Sequence, residues 1–180
     1  MTEAEKMQTI VEKAKKIKLL ILDIDGVLTD GKLFFDNQGN EYKSFHARDG
    51  HGIKLLRQTG VEVAVISGRK SNSVALRMKS LGIEYVYQGH ENKRAAFDEL
   101  IQNTGITPDQ AAHVGDDLLD LPIMLRVGLA IAVKDANFAV KQRAHWCTTL
   151  SGGHGAVREV CDFIMQAQGS FDDIMNFYLK

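Results

Sequence analysis

The run Lys18-Leu19-Leu20-Ile21-Leu22 breaks off at Asp23-Ile24-Asp25-Gly26. A short apolar stretch bounded by a turn signal reads as a strand buried on both faces, which is the habit of a parallel sheet. Parallel neighbours need long crossovers, usually helical, so this one stretch already points to an α/β fold. In open α/β sheets, ligands bind just beyond the carboxyl ends of the strands. Two carboxylates one residue apart at such an end concentrate negative charge where a hard cation and an anionic substrate can meet. A solvated turn is the plainer explanation of a bare pair of acids.

The rest of the chain keeps the alternation. Met7, Ile10, Val11 and Ala14 have helical spacing within residues 3–16, and strand one covers 17–22. Between Lys32 and Phe45, two β-prone arms flank an Asn- and Gly-rich turn, the pattern of a hairpin at about 32–46. Helices are expected at about 50–59, 71–81, 92–103, 118–126, 137–143 and 154–168. Strands are expected at 61–66, 85–87, 111–114, 128–133 and 145–148. Right-handed βαβ units then give a Rossmann-like parallel sheet with helices on both faces. With 180 residues, no linker and no internal repeat, the chain is expected to be one domain. Residues 169–180 receive no assignment, and 151–180 is taken as a tail.

Composition excludes several partners. Lys and Arg total 22 against 23 Asp and Glu, a net charge of −1, so no basic field recruits nucleic acid or an anionic membrane surface. No apolar run approaches the roughly 20 residues of a membrane-spanning helix. Two cysteines make no disulfide framework, and the polar N-terminus lacks the core of a signal peptide. A cytoplasmic location is the expectation.

Three further segments carry chemistry. Ser67, in Ile66-Ser67-Gly68-Arg69, offers a hydroxyl and neighbouring N–H groups that could donate to phosphate oxygens. Lys93 opens a helix, although the positive dipole end there favours acids; a local rule broken without structural gain suggests function. Val114-Gly115-Asp116-Asp117-Leu118-Leu119-Asp120 is again an apolar strand running into Gly and acids, and Asp117 also suits a helix cap. Zinc has no candidate ligand set: the six histidines are scattered and Cys147 and Cys161 have no partner at ligand spacing.

Asp23-Ile24-Asp25-Gly26-Val27-Leu28-Thr29-Asp30 resembles the first motif of the haloacid dehalogenase phosphatases, and Ser67, Lys93 and Gly115-Asp116-Asp117 resemble the other three in order. The resemblance implies a nucleophile at Asp23, a general acid/base at Asp25, phosphate contacts from Ser67 and Lys93, and support from Asp117 and Asp120. It also implies a metal held by Asp23, the Asp25 backbone and Asp116, a small oxygen set that suits Mg²⁺. The gaps after the first and second motifs hold no cap domain, so the expectation is a capless core with a hairpin flap. Such a core cannot by itself exclude water from a reactive aspartyl-phosphate.

A closer resemblance follows from Phe45-His46-Ala47-Arg48-Asp49-Gly50 and Gly152-Gly153-His154-Gly155-Ala156-Val157-Arg158-Glu159. With the four motifs, these are similar to the 3-deoxy-D-manno-octulosonate (KDO) 8-phosphate phosphatase family. The resemblance implies a Mg²⁺-dependent homotetramer in lipopolysaccharide precursor synthesis. It assigns substrate contact to Asp25, His46, Ala47, Arg48, Asp49, Gly50, Lys54, Arg69, Arg77 and Lys93. Arg158, after the glycine-rich segment, is a candidate cation for a neighbour's substrate, and cutting the chain after Leu150 is expected to leave a folded oligomer. Asp49-Gly50 also fits a cap on the next helix. Alternatives are a phosphatase for another sugar acid such as a nonulosonate 9-phosphate, a phosphotransferase, and a non-catalytic regulatory subunit of the same fold.

Overall fold

The structure is a computed structural model that describes residues 2–180. The order is α1 (Glu3–Ala14), β1 (Leu19–Leu22), β2 (Phe34–Phe35), β3 (Glu41–Tyr42), α2 (Ala47–Gln58), β4 (Glu62–Ser67), α3 (Asn72–Leu81), β5 (Tyr85–Gln88), α4 (Lys93–Thr104), β6 (Ala111–Gly115), α5 (Leu121–Met124), β7 (Leu129–Ala132), α6 (Phe138–Lys141), β8 (Trp146–Cys147), α7 (Ala156–Ala167) and α8 (Phe171–Tyr178).

Six strands form one sheet in the order β5-β4-β1-β6-β7-β8, parallel throughout. All four residues of β1 are buried, as a central strand covered on both faces requires. The chain first travels from β1 through β4 to β5, then returns to the other side of β1 at β6. Right-handed crossovers therefore put α2 and α3 on one face and α4 and α5 on the other, and each pair is in contact. The reversal leaves a crevice beyond the carboxyl ends of β1, β4 and β6. The hairpin is present as β2 and β3, pairing Phe34 with Tyr42 and Phe35 with Glu41.

Three sequence expectations change. The helix expected over 118–126 is a tight turn, Leu118–Asp120, followed by α5. Asp120 turns inward to accept N–H groups at the start of the segment, and Pro122 has no N–H to extend it. Helix α2 begins at Ala47, so Asp49 lies inside its first turn. Its carboxylate accepts the N–H of Arg158 at 2.8 Å and so caps α7 instead. Third, α7 is no removable tail. It buries Ala156, Val157, Val160, Cys161, Ile164 and Met165 in the core, where each large side chain contributes roughly 1.5–3 kcal/mol. Truncation after Leu150 is thus expected to unfold the protein; only α8, whose Phe171 and Ile174 are half-buried on the core, is peripheral.

Candidate active site

Strand β1 delivers Asp23 to the crevice, where its N–H donates to the Val114 carbonyl of β6 at 3.2 Å. The chain then makes one wide turn, Ile24–Leu28, closed by the Thr29 N–H on the Ile24 carbonyl at 3.0 Å. The Thr29 hydroxyl oxygen accepts the N–H groups of Gly26 and Gly31, at 3.4 and 3.2 Å. Gly26 is at φ +93°, and a Cβ there would lie 2.1 Å from Asp116 Oδ2. Only glycine adopts that backbone readily and leaves Asp116 its place. The glycine-rich segment before α7 braces the same turn. Gly153 donates to Val27 at 3.0 Å, and a Cβ on Gly152 would fall 1.7 Å from the Gly26 carbonyl oxygen.

Beneath the turn lies one ammonium among three carboxylates. Lys93 Nζ sits 2.8 Å from Asp23 Oδ1 and 2.7 Å from Asp120 Oδ1, with 2 % of its side chain exposed. That pairing explains why a lysine opens α4. Asp120 also takes His113 Nε2 at 3.0 Å and the N–H groups of Asp116 and Asp117 at 2.9 and 3.2 Å. Against the penalty of burial, His113 and Lys93 hold its carboxyl below the usual carboxylate range. Asp23 and Asp116 go the other way. Burial first, then the Asp120 charge, pushes Asp23 up to about 6 despite Lys93. Burial, then the charges of Asp23 and Asp120, pushes Asp116 up to about 8.

Burial alone would lower the Lys93 ammonium, but Asp23 and Asp120 outweigh it and raise it. Carboxylate oxygens of Asp23, Asp116 and Asp120 come within 4.8 Å of one another. Asp120 is fully engaged by protein donors, which leaves oxygens of Asp23 and Asp116 to face the crevice. Carboxylates at this spacing, short of counter-charge, can hold a hard divalent cation.

The crevice, about 260 Å³, is lined by Asp23, Asp25, Ser67, Gly68, Arg69, Glu91, Lys93, Asp116, Asp117, Leu119 and Asp120. Ser67 is buried at the end of β4, its Oγ accepting the Arg69 N–H at 3.3 Å. The Asp25 carboxylate meets Lys43 of the hairpin, and Arg69 Nε lies 3.8 Å away.

Other candidates stand apart. His46, Arg48 and Arg158 line a separate cleft of about 420 Å³ with Trp146, Leu150 and His154. Asp49 is buried, burial raising its carboxyl against the Arg158 N–H that lowers it. Gly50 packs against Arg77, whose guanidinium a Cβ at Gly50 would meet at 2.2 Å. Ala47 and Lys54 are exposed on α2. Within one chain, then, the structure groups the four motifs and Arg69 and leaves His46–Gly50, Lys54, Arg77 and Arg158 elsewhere. Sequence reasoning passed over Glu41, Lys43 and His113. Glu41 and Lys43 reach the site only through tertiary folding of the hairpin, while His113, a polar residue within the β6 run, was visible as an anomaly.

Residues 83–160 match the haloacid dehalogenase-like hydrolase model. The chain is 48 % identical over 164 residues to the KDO 8-phosphate phosphatase of Escherichia coli K12, covering 91 % of this chain and 87 % of the relative. A Moraxella catarrhalis KDO 8-phosphate phosphatase, solved with magnesium, phosphate and KDO, superposes with a TM-score of 0.94 at 40 % identity, covering 96 % of this chain and 99 % of that one. A Haemophilus influenzae KDO 8-phosphate phosphatase in its cobalt-bound form gives 0.89 at 43 %, covering 93 % and 99 %. A fold, a set of motifs and relatives that coincide over nearly the whole length place this chain in the KDO 8-phosphate phosphatase family of haloacid dehalogenase-like hydrolases.

Proposed function

We propose that the chain hydrolyses KDO 8-phosphate through an aspartyl-phosphate on Asp23, in the supply of lipopolysaccharide precursors. The observation that carries this is the buried Asp23–Lys93–Asp120 arrangement at the mouth of β1, with Ser67 and Asp116 on the adjoining strand ends. Asp23 attacks phosphorus while the bond to the sugar oxygen breaks, and Asp25 gives that oxygen a proton. Asp25 then takes a proton from water as its oxygen attacks phosphorus, releasing phosphate and restoring Asp23. Ser67 Oγ–H and the Lys93 ammonium hold phosphoryl oxygens, where positioning supplies much of the rate. Asp25 and Lys93 are both in place, which argues against a regulatory subunit.

Mg²⁺ fits the donor set. Asp23, Asp116 and the Asp25 backbone carbonyl would hold it, and the glycine at position 26 leaves Asp116 room to approach. Bound there, it would screen the Asp23 carboxylate from the phosphate it attacks.

In this reading the chain is one catalytic domain that works in the cytoplasm as a homotetramer, with the hairpin as a flap. Leu33, Phe34 and Phe35 are 48, 50 and 57 % exposed, a large apolar surface for a monomer. A second copy would bring His46–Gly50, Lys54, Arg77 or Arg158 to the substrate carboxylate, since among the described residues the cations lining the crevice are Arg69 and Lys93. The test is phosphate release from a panel of sugar-acid phosphates with Mg²⁺ or with EDTA. Selective, Mg²⁺-dependent release from KDO 8-phosphate supports the reading; preference for a nine-carbon acid, or no release from any ester, overturns it.

A further inference from the structure

We propose that Lys43, on the second arm of the hairpin, is a positioning residue for Asp25 and thereby serves protonation of the leaving sugar. The inference rests on the phosphatase reading above and extends it to a residue outside the four motifs.

The Lys43 ammonium is almost wholly enclosed, with 1 % of its side chain exposed. A buried ammonium is tolerated only with partners. Its partners are Asp25 Oδ1 and, at 2.9 Å, Glu41 Oε1. The same Glu41 oxygen accepts Arg69 Nη2 at 3.1 Å, and Arg69 Nε stands 3.8 Å from Asp25 Oδ2. The four side chains form a closed ring in which two acids alternate with two cations; Asp25 meets the leaving oxygen as the protonated acid, and the two cations face the carboxylate that forms as the proton leaves. The ring joins the turn after β1, the turn after β4 and the hairpin. Each oxygen of Asp25 faces a different cation of that ring, so the carboxylate has little freedom to rotate.

The location gives the ring its purpose. Asp25 belongs to the crevice, yet its carboxylate lies outside the Asp23–Asp116–Asp120 cluster that can hold a cation. A free aspartate two residues from the nucleophile would be drawn to a divalent ion beside it. Lys43 and Arg69 would hold the group away from a metal bound by Asp23 and Asp116 and keep it free for the leaving oxygen. A hairpin that only shielded the site from water would have no need to bury a cation on the proton donor. The apolar side chains that shielding would use, Leu33, Phe34 and Phe35, stand exposed on the hairpin.

The leaving group separates these roles. A sugar alkoxide needs a proton as the P–O bond breaks, whereas 4-nitrophenolate leaves without one. The ratio kcat/KM covers only the steps through aspartyl-phosphate formation, so the later use of Asp25 as base does not enter it. The experiment measures kcat/KM of wild type, Lys43→Met and Lys43→Arg, with Mg²⁺, on KDO 8-phosphate and on 4-nitrophenyl phosphate. Lys43→Met is expected to lose roughly ten- to a hundredfold on the sugar ester, near the low end for loss of acid catalysis. On the aryl ester the loss should stay below roughly threefold, and Lys43→Arg should recover most of the sugar-ester rate. Retained aryl turnover also shows that the variant is folded. Equal losses on both esters, or no loss on either, overturn the proposal and leave the phosphatase reading intact. A wild type inactive on both esters overturns that reading, and the proposal with it.

Discussion

The Lys93 ammonium lies 2.8 Å from Asp23 Oδ1, and both groups are enclosed by the ends of β1, α4 and β6. Asp23 depends on this contact to remain a carboxylate, because burial and the nearby Asp120 charge both favour its protonated form. In the proposed reaction the same lysine receives the phosphoryl oxygens, so one side chain would serve both the attacking anion and the charge it attacks.

Lys93→Met should therefore act twice. Turnover should fall by more than about a hundredfold because both attacking anion and transferred group lose their cation. Stability should fall by about 3–5 kcal/mol, the usual result of removing one partner from a buried ion pair. Urea unfolding beside steady-state turnover checks both; a variant as stable as wild type would show that Asp23 and Asp120 do not share this charge.

Metal removal should uncover a loss of stability as pH rises. In metal-free protein, burial and then the neighbouring carboxylates push Asp23 up to about 6 and Asp116 up to about 8, above the ordinary value of 3.8. Between 3.8 and those values the native state binds more protons than the unfolded chain, so stability declines as pH rises. In EDTA, Tm should drop from pH 5 to pH 8. A divalent ion competes with those protons, so the gain in Tm from Mg²⁺ should widen over the same interval. A gain that is constant from pH 5 to 8 would contradict the assignment of Asp23 and Asp116 as ligands.

Much of this site was legible because its residues sit in linear segments where an apolar strand meets a turn. Asp23, Asp25, Ser67 and Asp116 announce themselves that way. Lys93 was legible as a charge on the wrong end of a helix, and Asp120 supplies the reason. Lys43 and Glu41 left no such mark, since a charged pair in a hairpin is ordinary on an exposed edge. The segment after Leu150 was read as a tail because the burial of Gly152 against the turn that follows β1 is a tertiary fact. Helix α8 did carry a local signal: Phe171, Ile174, Met175 and Tyr178 fall on one helical face.

Gly152→Ala tests that bracing. The added methyl would meet the Gly26 carbonyl oxygen at 1.7 Å, a backbone atom that cannot swing aside as a flexible side chain can. A loss of at least about 1–3 kcal/mol is expected from overpacking. Activity at a temperature where the variant remains folded should also fall, because the displaced turn carries Asp25. Unchanged turnover under those conditions would separate the glycine segment from the site.

Truncation distinguishes core from periphery. A chain ending at Gln168 keeps α7 and should remain folded, whereas one ending at Leu150 loses its six buried side chains and should be unfolded by circular dichroism. A cooperative thermal transition in the shorter protein would contradict the placement of α7 in the core.

The central claim is that Asp23 forms a bond to phosphorus. Asp23→Asn keeps the size of the side chain and removes the attacking anion. With KDO 8-phosphate and saturating Mg²⁺, kcat should fall by at least about a thousandfold, roughly 4 kcal/mol in barrier. A variant that retains more than about a tenth of wild-type kcat, a change under roughly 1.4 kcal/mol, would contradict covalent catalysis by Asp23.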